Sequence, residues 1–222
     1  MQVKLISYSK PTEEMATLGM NNMQDLVAYC ARVSNPSNQL NIETNEKLIA
    51  YLLKHKHFSP LEMSSVCMEI ETTRDIARQI LRHRSFSFQE FSQRYADPTK
   101  DLGFEVREAR LQDTMNRQNS IPNENEYIDE RWEEEQLNVR FAVEKAYTWA
   151  IENGIAKEQA RSVLPEGNTI SRMYMNGTLR SWLHYIQLRS GVETQKEHRE
   201  IALAAAQAIE PIFPMIMEFV TV

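Results

Sequence analysis

The chain has 222 residues, enough for one domain with a full hydrophobic core, and its 42% hydrophobic and 25% charged residues are ordinary for a soluble globular protein. A formal net charge of −6 argues against a general nucleic-acid coat, because phosphate backbones demand a basic surface; no apolar run is long enough to cross a bilayer. Two cysteines, Cys30 and Cys67, form neither a disulfide framework nor a zinc site and read as small buried packing residues in a reducing compartment.

In chain order, residues 2–8 predict a first strand. They are too short and polar for a signal peptide, so a cytoplasmic protein is expected. Helices are predicted over 22–33 and 43–56, the second with Leu48, Ile49, Leu52 and Leu53 at helical spacing, around a turn-rich loop at 34–38. Residues 63–71 alternate, placing Val66, Met68 and Ile70 on one face of a half-buried strand. Thr72-Thr73-Arg74-Asp75 reads as a capping box that opens a helix ending near His83. That helix carries Ile76, Ala77, Ile80 and Leu81 as an apolar stripe and presents Arg78, Gln79 and Arg82 opposite. Residues 96–125 are polar, with Pro98, Gly103 and Pro122 as punctuation, and are expected to include loop.

Asn123 to Glu126 cap a long helix to about residue 153. Its acidic first turns suit the positive end of the helix dipole, and Val139, Ala142, Val143, Ala146, Trp149 and Ala150 predict a buried stripe. A short helix over 157–163 leads to a helix from Asn176-Gly177-Thr178 to Arg189. There Leu179, Trp182, Leu183 and Ile186 face one way, and Arg180, His184 and Gln187 another. Thr194-Gln195-Lys196-Glu197 reads as a second capping box, and Pro211 as the start of a last helix. The reading is a single α+β domain over 1–222, helix-dominated, with the helices packed on a small antiparallel sheet.

Neither GxGxxG after a strand nor GxxxxGK[ST] occurs, and six glycines are few for a dinucleotide fold. Any bound nucleotide must therefore be held by side chains. The segment from Arg82 to Tyr95 supplies three guanidiniums, an imidazole, three serine hydroxyls and three phenylalanines. Guanidinium forks pair with phosphate, and aromatic rings cover a flat base or flavin. Composition by itself also fits a solvated basic loop. His55 and His57 form H-x-H without a third ligand, so no metal is expected. Ser92 has no aspartate–histidine pair to activate it, which favours binding over nucleophilic attack.

The order of these residues is more telling. Arg82-His83-Arg84, seven residues, then Ser92 resembles the RHRx₇S signature of flavin-dependent thymidylate synthases. Further similar stretches are AYCARVS from Ala28, HKHFSPLE from His55, ARQ from Ala77, ARSVLP from Ala160, GTLRSWLHYIQLR from Gly177 and TQKEHR from Thr194. The resemblance implies a homotetramer that binds FAD, with NADPH as reductant and methylenetetrahydrofolate as one-carbon donor, converting dUMP to dTMP without a cysteine nucleophile. It implies that Gln79, Arg82, Glu90, Phe91, Ser92, Gln93, Arg94, Arg161 and Arg189 bind dUMP, Arg161 coming from another subunit. It also implies that Ser59, Arg82, His83, Arg84, Glu90, Thr178, Arg180 and His184 touch FAD, and that His57, with Tyr95 close by, stands at the flavin and folate opening. Arg189 corresponds to the family's catalytic arginine.

This sequence departs from the pattern in three places. The spacing between Arg161 and Arg180 is one residue longer than in some members, His184 stands where some have an amide, and residues 96–126 have no clear counterpart. Two alternatives lie outside the reading: a flavoprotein of this fold without methyl transfer, and a nucleic-acid-binding module using the Arg/Phe segment as a stacking surface. The acidic balance disfavours the second.

Overall fold

The computed structural model describes residues 1–221. The elements in chain order are β1 (Gln2–Tyr8), α1 (Glu13–Thr17), α2 (Met23–Ala31), α3 (Asn45–Lys54), β2 (Ser65–Thr73), α4 (Arg74–Ile80), β3 (Ser87–Glu90) and α5 (Pro98–Asp101). They continue with β4 (Arg110–Gln112), β5 (Ser120–Pro122), α6 (Glu126–Glu152), α7 (Lys157–Ala160), β6 (Ile170–Thr178), α8 (Leu179–Arg189) and α9 (Lys196–Ile209). Four strands make an antiparallel sheet in the order β1-β2-β6-β3, and β4 and β5 pair separately. The mixed fold with a small antiparallel sheet agrees with the sequence. No described helix is long and apolar enough to cross a membrane.

One sheet face is the core face, and period-two alternation decides which residues reach it. Register sets Val66 against Gly177, Met68 against Met175 and Ile70 against Met173, and all of these are buried. Leu179, Trp182, Leu183 and Ile186 of α8 and Ile201, Ala205 and Ile209 of α9 join the same core. Gly177 is required there: a Cβ would sit 2.4 Å from the Phe86 ring, which packs edge-on against Trp182 at 4.9 Å. Trp182 Nε1 donates to the Val66 carbonyl at 3.0 Å, so its indole N–H is satisfied inside the core. The opposite face is polar, with Arg172 paired to Glu71 across the ladder and the Tyr174 hydroxyl donating to Glu69 at 2.7 Å.

Several expectations need correction. β6 is absent from the sequence reading. The helix after β2 stops at Ile80 rather than near His83. Residues 96–125 do include loop, together with α5 and the β4–β5 hairpin. Neither capping box forms: α4 is capped at Thr73 and α9 at Gln195, without side-chain cap bonds. Asp75 is engaged instead by Arg107 at 2.7 and 2.9 Å, and Glu197 by Arg110 at 2.5 Å. A charge-assisted bond to a guanidinium draws each carboxylate away from the backbone of its capping residue. The last helical turn begins at Pro214, beyond Pro211. The two cysteines are half-buried rather than enclosed, and burial pushes both thiols up.

The largest correction concerns α6. It buries Gln136, Tyr147 and Ala150, the latter two packing with Ala160 and Leu164 in a small second cluster. Most of the expected buried stripe is exposed instead: Val139 by 46%, Trp149 by 59%, and Ala142 and Ala146 with them. Phe141, also exposed, joins Ala142, Ala146, Trp149, Ile155 and Val163 around an open apolar groove of about 980 Å³.

Candidate active site

β2 runs directly into α4 and β6 directly into α8. Thr178 caps α8, its hydroxyl accepting from Ser181 N at 3.3 Å. The last residue of α8, Arg189, meets the turn after α4: its Nε donates to His83 Nε2 at 3.0 Å, joining residues 106 apart in sequence. The His83 ring stands edge-on to Tyr185 at 4.9 Å and 6.1 Å from His198 of α9.

Burial, then the Arg189 charge, lowers His83 to about 4; the same causes lower His198 to about 3. Both imidazoles are therefore neutral at pH 7. Because His83 Nε2 accepts from Arg189, its proton is on Nδ1. Burial likewise raises the Tyr185 phenol. Gln79 stands beside this group, its Oε1 3.3 Å from His198 Nδ1 and its Nε2 donating to Gln195 at 2.8 Å. Arg82 adds its charge to those felt by His83 and is exposed, as is Arg84; among the described residues neither enters an ion pair.

A second group forms at the start of α4 and the end of β3. Glu90 accepts from Ser171 Oγ at 2.9 Å and lies 3.5 Å from the buried Arg74 guanidinium. Burial lowers Arg74, Glu90 opposes that shift, and the charges of Arg78 and Arg161 add to it, which places Arg161 in this neighbourhood. Phe91 N donates to the Arg172 carbonyl at 2.8 Å, fixing the chain as it leaves β3. The turn that follows holds Ser92, whose Oγ accepts from Arg94 N at 3.4 Å, and the buried Gln93, whose Nε2 has no partner. Arg94 pairs with Glu158 at 3.4 Å, and Arg161 Nε donates to the Glu158 carbonyl at 3.3 Å. Among the described residues, no hydrogen bond or ion pair joins Arg161 to Arg82 or Arg189.

Between α8 and the segment before β2 lies a cleft of about 550 Å³, lined in part by Phe58, Thr178, Arg180 and His184. Arg180 pairs with Glu62 on one wall, and Ser181 Oγ donates to the Ser85 carbonyl at 3.2 Å on another. Its chemistry combines an apolar ring, a guanidinium, an imidazole and hydroxyls. That set suits an extended ligand with a flat ring and a phosphate. Ser59 sits on the turn whose neighbours Phe58 and Glu62 line the cleft. His57 is exposed beside His55, with ring centroids 6.2 Å apart, and Tyr95 is 79% exposed, its carbonyl accepting from Lys157 Nζ at 2.9 Å. Neither lines the cleft. Among the described residues, no group of three His, Cys, Asp or Glu could hold a metal.

Sequence reasoning gave no site role to Arg74, Ser171, Glu62, Ser181 or Gln187, which border the candidate site. Arg74 lies in the apparent helix cap, and Glu62, Ser181 and Gln187 lie within the HKHFSPLE and GTLRSWLHYIQLR stretches. Ser171 gave no local signal and matters only through its contact with Glu90, 81 positions away.

The fold is α+β, and the cleft beside the Arg189–His83 contact offers a guanidinium, an imidazole and hydroxyls to an anionic ligand. Residues 17–215 match the model of the family described as thymidylate synthase complementing protein, and the chain belongs to that family. It is 47% identical over 217 residues to the flavin-dependent thymidylate synthase of Synechocystis sp. and 45% identical over 216 residues to the probable flavin-dependent thymidylate synthase of Paramecium bursaria Chlorella virus 1, each alignment covering 97% of both chains. The crystal structure of the UMP/dUMP methylase PolB from Streptomyces cacaoi, bound with 5-Br UMP, shares the fold with a TM-score of 0.79 at 23% identity, covering 98% of this chain and 92% of that one.

Proposed function

We propose that the chain is a flavin-dependent thymidylate synthase that methylates dUMP to dTMP, using methylenetetrahydrofolate, NADPH and FAD. The observation that carries the reading is the meeting of Arg189 with His83 next to the cleft bordered by Thr178, Arg180 and His184. Residues from separate sequence landmarks thereby fall into one neighbourhood.

The donor set of that cleft fits FAD, with Arg180 and His184 toward its phosphates or ring edge, Thr178 and Ser59 at the rim, and Arg84 and His83 beside it. Bound FAD supplies the reducing electrons that complete the methyl group. Gln79 and Arg189 face the pyrimidine. Uracil C5 is a weak nucleophile, and negative charge on the N3/O4 side of the ring is the form in which C5 attacks. Arg189 remains protonated, so it stabilises that charge rather than removing a proton. Neutral His83 accepts from Nε and leaves the Nη groups free for the ligand. The raised thiols of Cys30 and Cys67 are poor thiolates, in keeping with a route that uses no cysteine nucleophile.

Arg82, Glu90, Phe91, Ser92, Gln93, Arg94 and Arg161 form the remaining dUMP subsite, with Arg94 and Arg161 exchanging their contacts at Glu158 for the phosphate. His57 and Tyr95 stand nearer the outer opening, where folate enters. The two groups are completed between copies of the chain in a homotetramer, which also covers the apolar face of α6. The free thiols suit a reducing cytoplasm.

Protein incubated with FAD and desalted should be yellow, and dUMP should perturb its flavin absorption. Colourless protein, or a flavin spectrum indifferent to dUMP, contradicts the proposal.

A further inference from the structure

Gln79 belongs to a run of amides that ends on a carboxylate. Its Nε2 is 2.8 Å from Gln195 Oε1, Gln195 Nε2 is 2.9 Å from Glu197 Oε2, and Glu197 Oε1 accepts from Arg110 at 2.5 Å. A side-chain amide donates at one end and accepts at the other, and the two ends have nearly the same shape. A pair of glutamines alone can be turned over together at no cost. This pair cannot.

Glu197 is the reason. Burial works to raise its carboxyl, yet its own backbone amide, Gln195, Arg110 and Arg107 hold it below the usual carboxylate range. Ionised, it only accepts. Gln195 must then turn its nitrogen to Glu197 and its oxygen to Gln79. Gln79 in turn must point its nitrogen at Gln195 and its oxygen at His198. His198 Nδ1, 3.3 Å away, carries the proton that Gln79 accepts, and His198 is fully buried. The oxygen end of Gln79 thus faces the interior. One N–H of its nitrogen end is left for a ligand.

We infer that Gln195 and Glu197 are positioning residues that fix the Gln79 amide so that it offers an N–H to the 4-carbonyl of a uracil nucleotide and turns away the 4-amino group of a cytosine nucleotide. The inference rests on the proposal that Gln79 and Arg189 face the pyrimidine. Uracil and cytosine differ at this position as acceptor and donor, and a buried site built for one leaves a polar group unpaired with the other. Neither Gln195 nor Glu197 touches the base; each acts through its neighbour.

The test uses FAD-loaded protein. Binding of dUMP is read from the flavin absorption and dCMP from competition, for the unchanged chain and for Gln195→Leu, Glu197→Gln and Gln79→Ala. Gln195→Leu keeps the Arg110–Glu197 pair, so it guards against a Glu197 variant that fails to fold. In both positioning variants the preference for dUMP over dCMP should shrink about tenfold with FAD still retained, a change of selectivity that structural damage alone does not produce. An unchanged preference in Gln195→Leu overturns the positioning role, while weakened dUMP binding in Gln79→Ala leaves the site assignment standing. If Gln79→Ala binds dUMP as tightly as the unchanged chain, Gln79 does not meet the base, and the site assignment fails as well.

Discussion

Lowering the pH from 8 to 5 should destabilise the folded chain through His83 and His198. Burial and the adjacent Arg189 charge hold these groups at about 4 and about 3, against an ordinary histidine value of about 6.5. At pH 5 the unfolded chain has bound a proton at each, whereas the folded chain has bound almost none. A folded-state value below the unfolded one means that stability is fully present above about pH 6.5 and is lost as the pH falls through it. At pH 5, about 1.5 units below the unfolded value, each group costs about 2 kcal/mol, and the pair about 4 kcal/mol. Domains of ordinary stability have only about 5–15 kcal/mol to lose. Urea unfolding followed by tryptophan fluorescence, at one protein concentration and several pH values, measures this directly. The double replacement of His83 and His198 by Asn should be less stable at pH 8 but should lose about 4 kcal/mol less on going to pH 5. Equal pH slopes for the unchanged and doubly replaced chains would refute the reasoning, because the two imidazoles would then titrate alike in both states.

Arg189→Ala should abolish dTMP formation while leaving FAD bound; loss of flavin with the activity of the remaining holoprotein intact would contradict the role given to this guanidinium. Trp149→Glu places a charge on the apolar face of α6, and size-exclusion chromatography should show species smaller than the unchanged assembly. An unaltered elution volume would mean that this face does not join copies. Gly177→Ala puts a methyl into the Phe86 ring and should cost about 1–3 kcal/mol, lowering the thermal midpoint by a few degrees; an unchanged midpoint would show that Phe86 gives way freely.

Strong periodicity made much of the fold legible. Val66, Met68 and Ile70 marked β2, and Leu179, Trp182, Leu183 and Ile186 marked the inner face of α8. β6 escaped notice because its inward residues are Ser171, Met173, Met175 and Gly177, only two of them strongly apolar, and because Asn176-Gly177 looks like a turn. Its alternation becomes visible once β2 lies beside it. The stripe on α6 was read correctly as apolar but wrongly as buried in its own chain, since periodicity reveals a face without revealing what covers it. The two capping boxes failed for a tertiary reason: Arg107, just before β4, and Arg110, at its start, arrive from a distant segment and claim Asp75 and Glu197.

The candidate site was legible where chemistry is concentrated in sequence. Arg82, His83 and Arg84 form one motif, and Arg180 and His184 share a helix face that borders the cleft. Arg74 was hidden by its place in an apparent helix cap. Nothing local announces that its guanidinium is buried against Glu90, or that Ser171 donates to the same carboxylate. Those relations are products of the sheet register.

Conversion of dUMP to dTMP through a flavin can be tested in one assay. The direct measurement is dUMP-dependent NADPH oxidation by the FAD-loaded protein in the presence of methylenetetrahydrofolate, with dTMP identified in the products. Oxidation accompanied by dTMP is the expected result; NADPH oxidation that proceeds without any dTMP would contradict the proposed function.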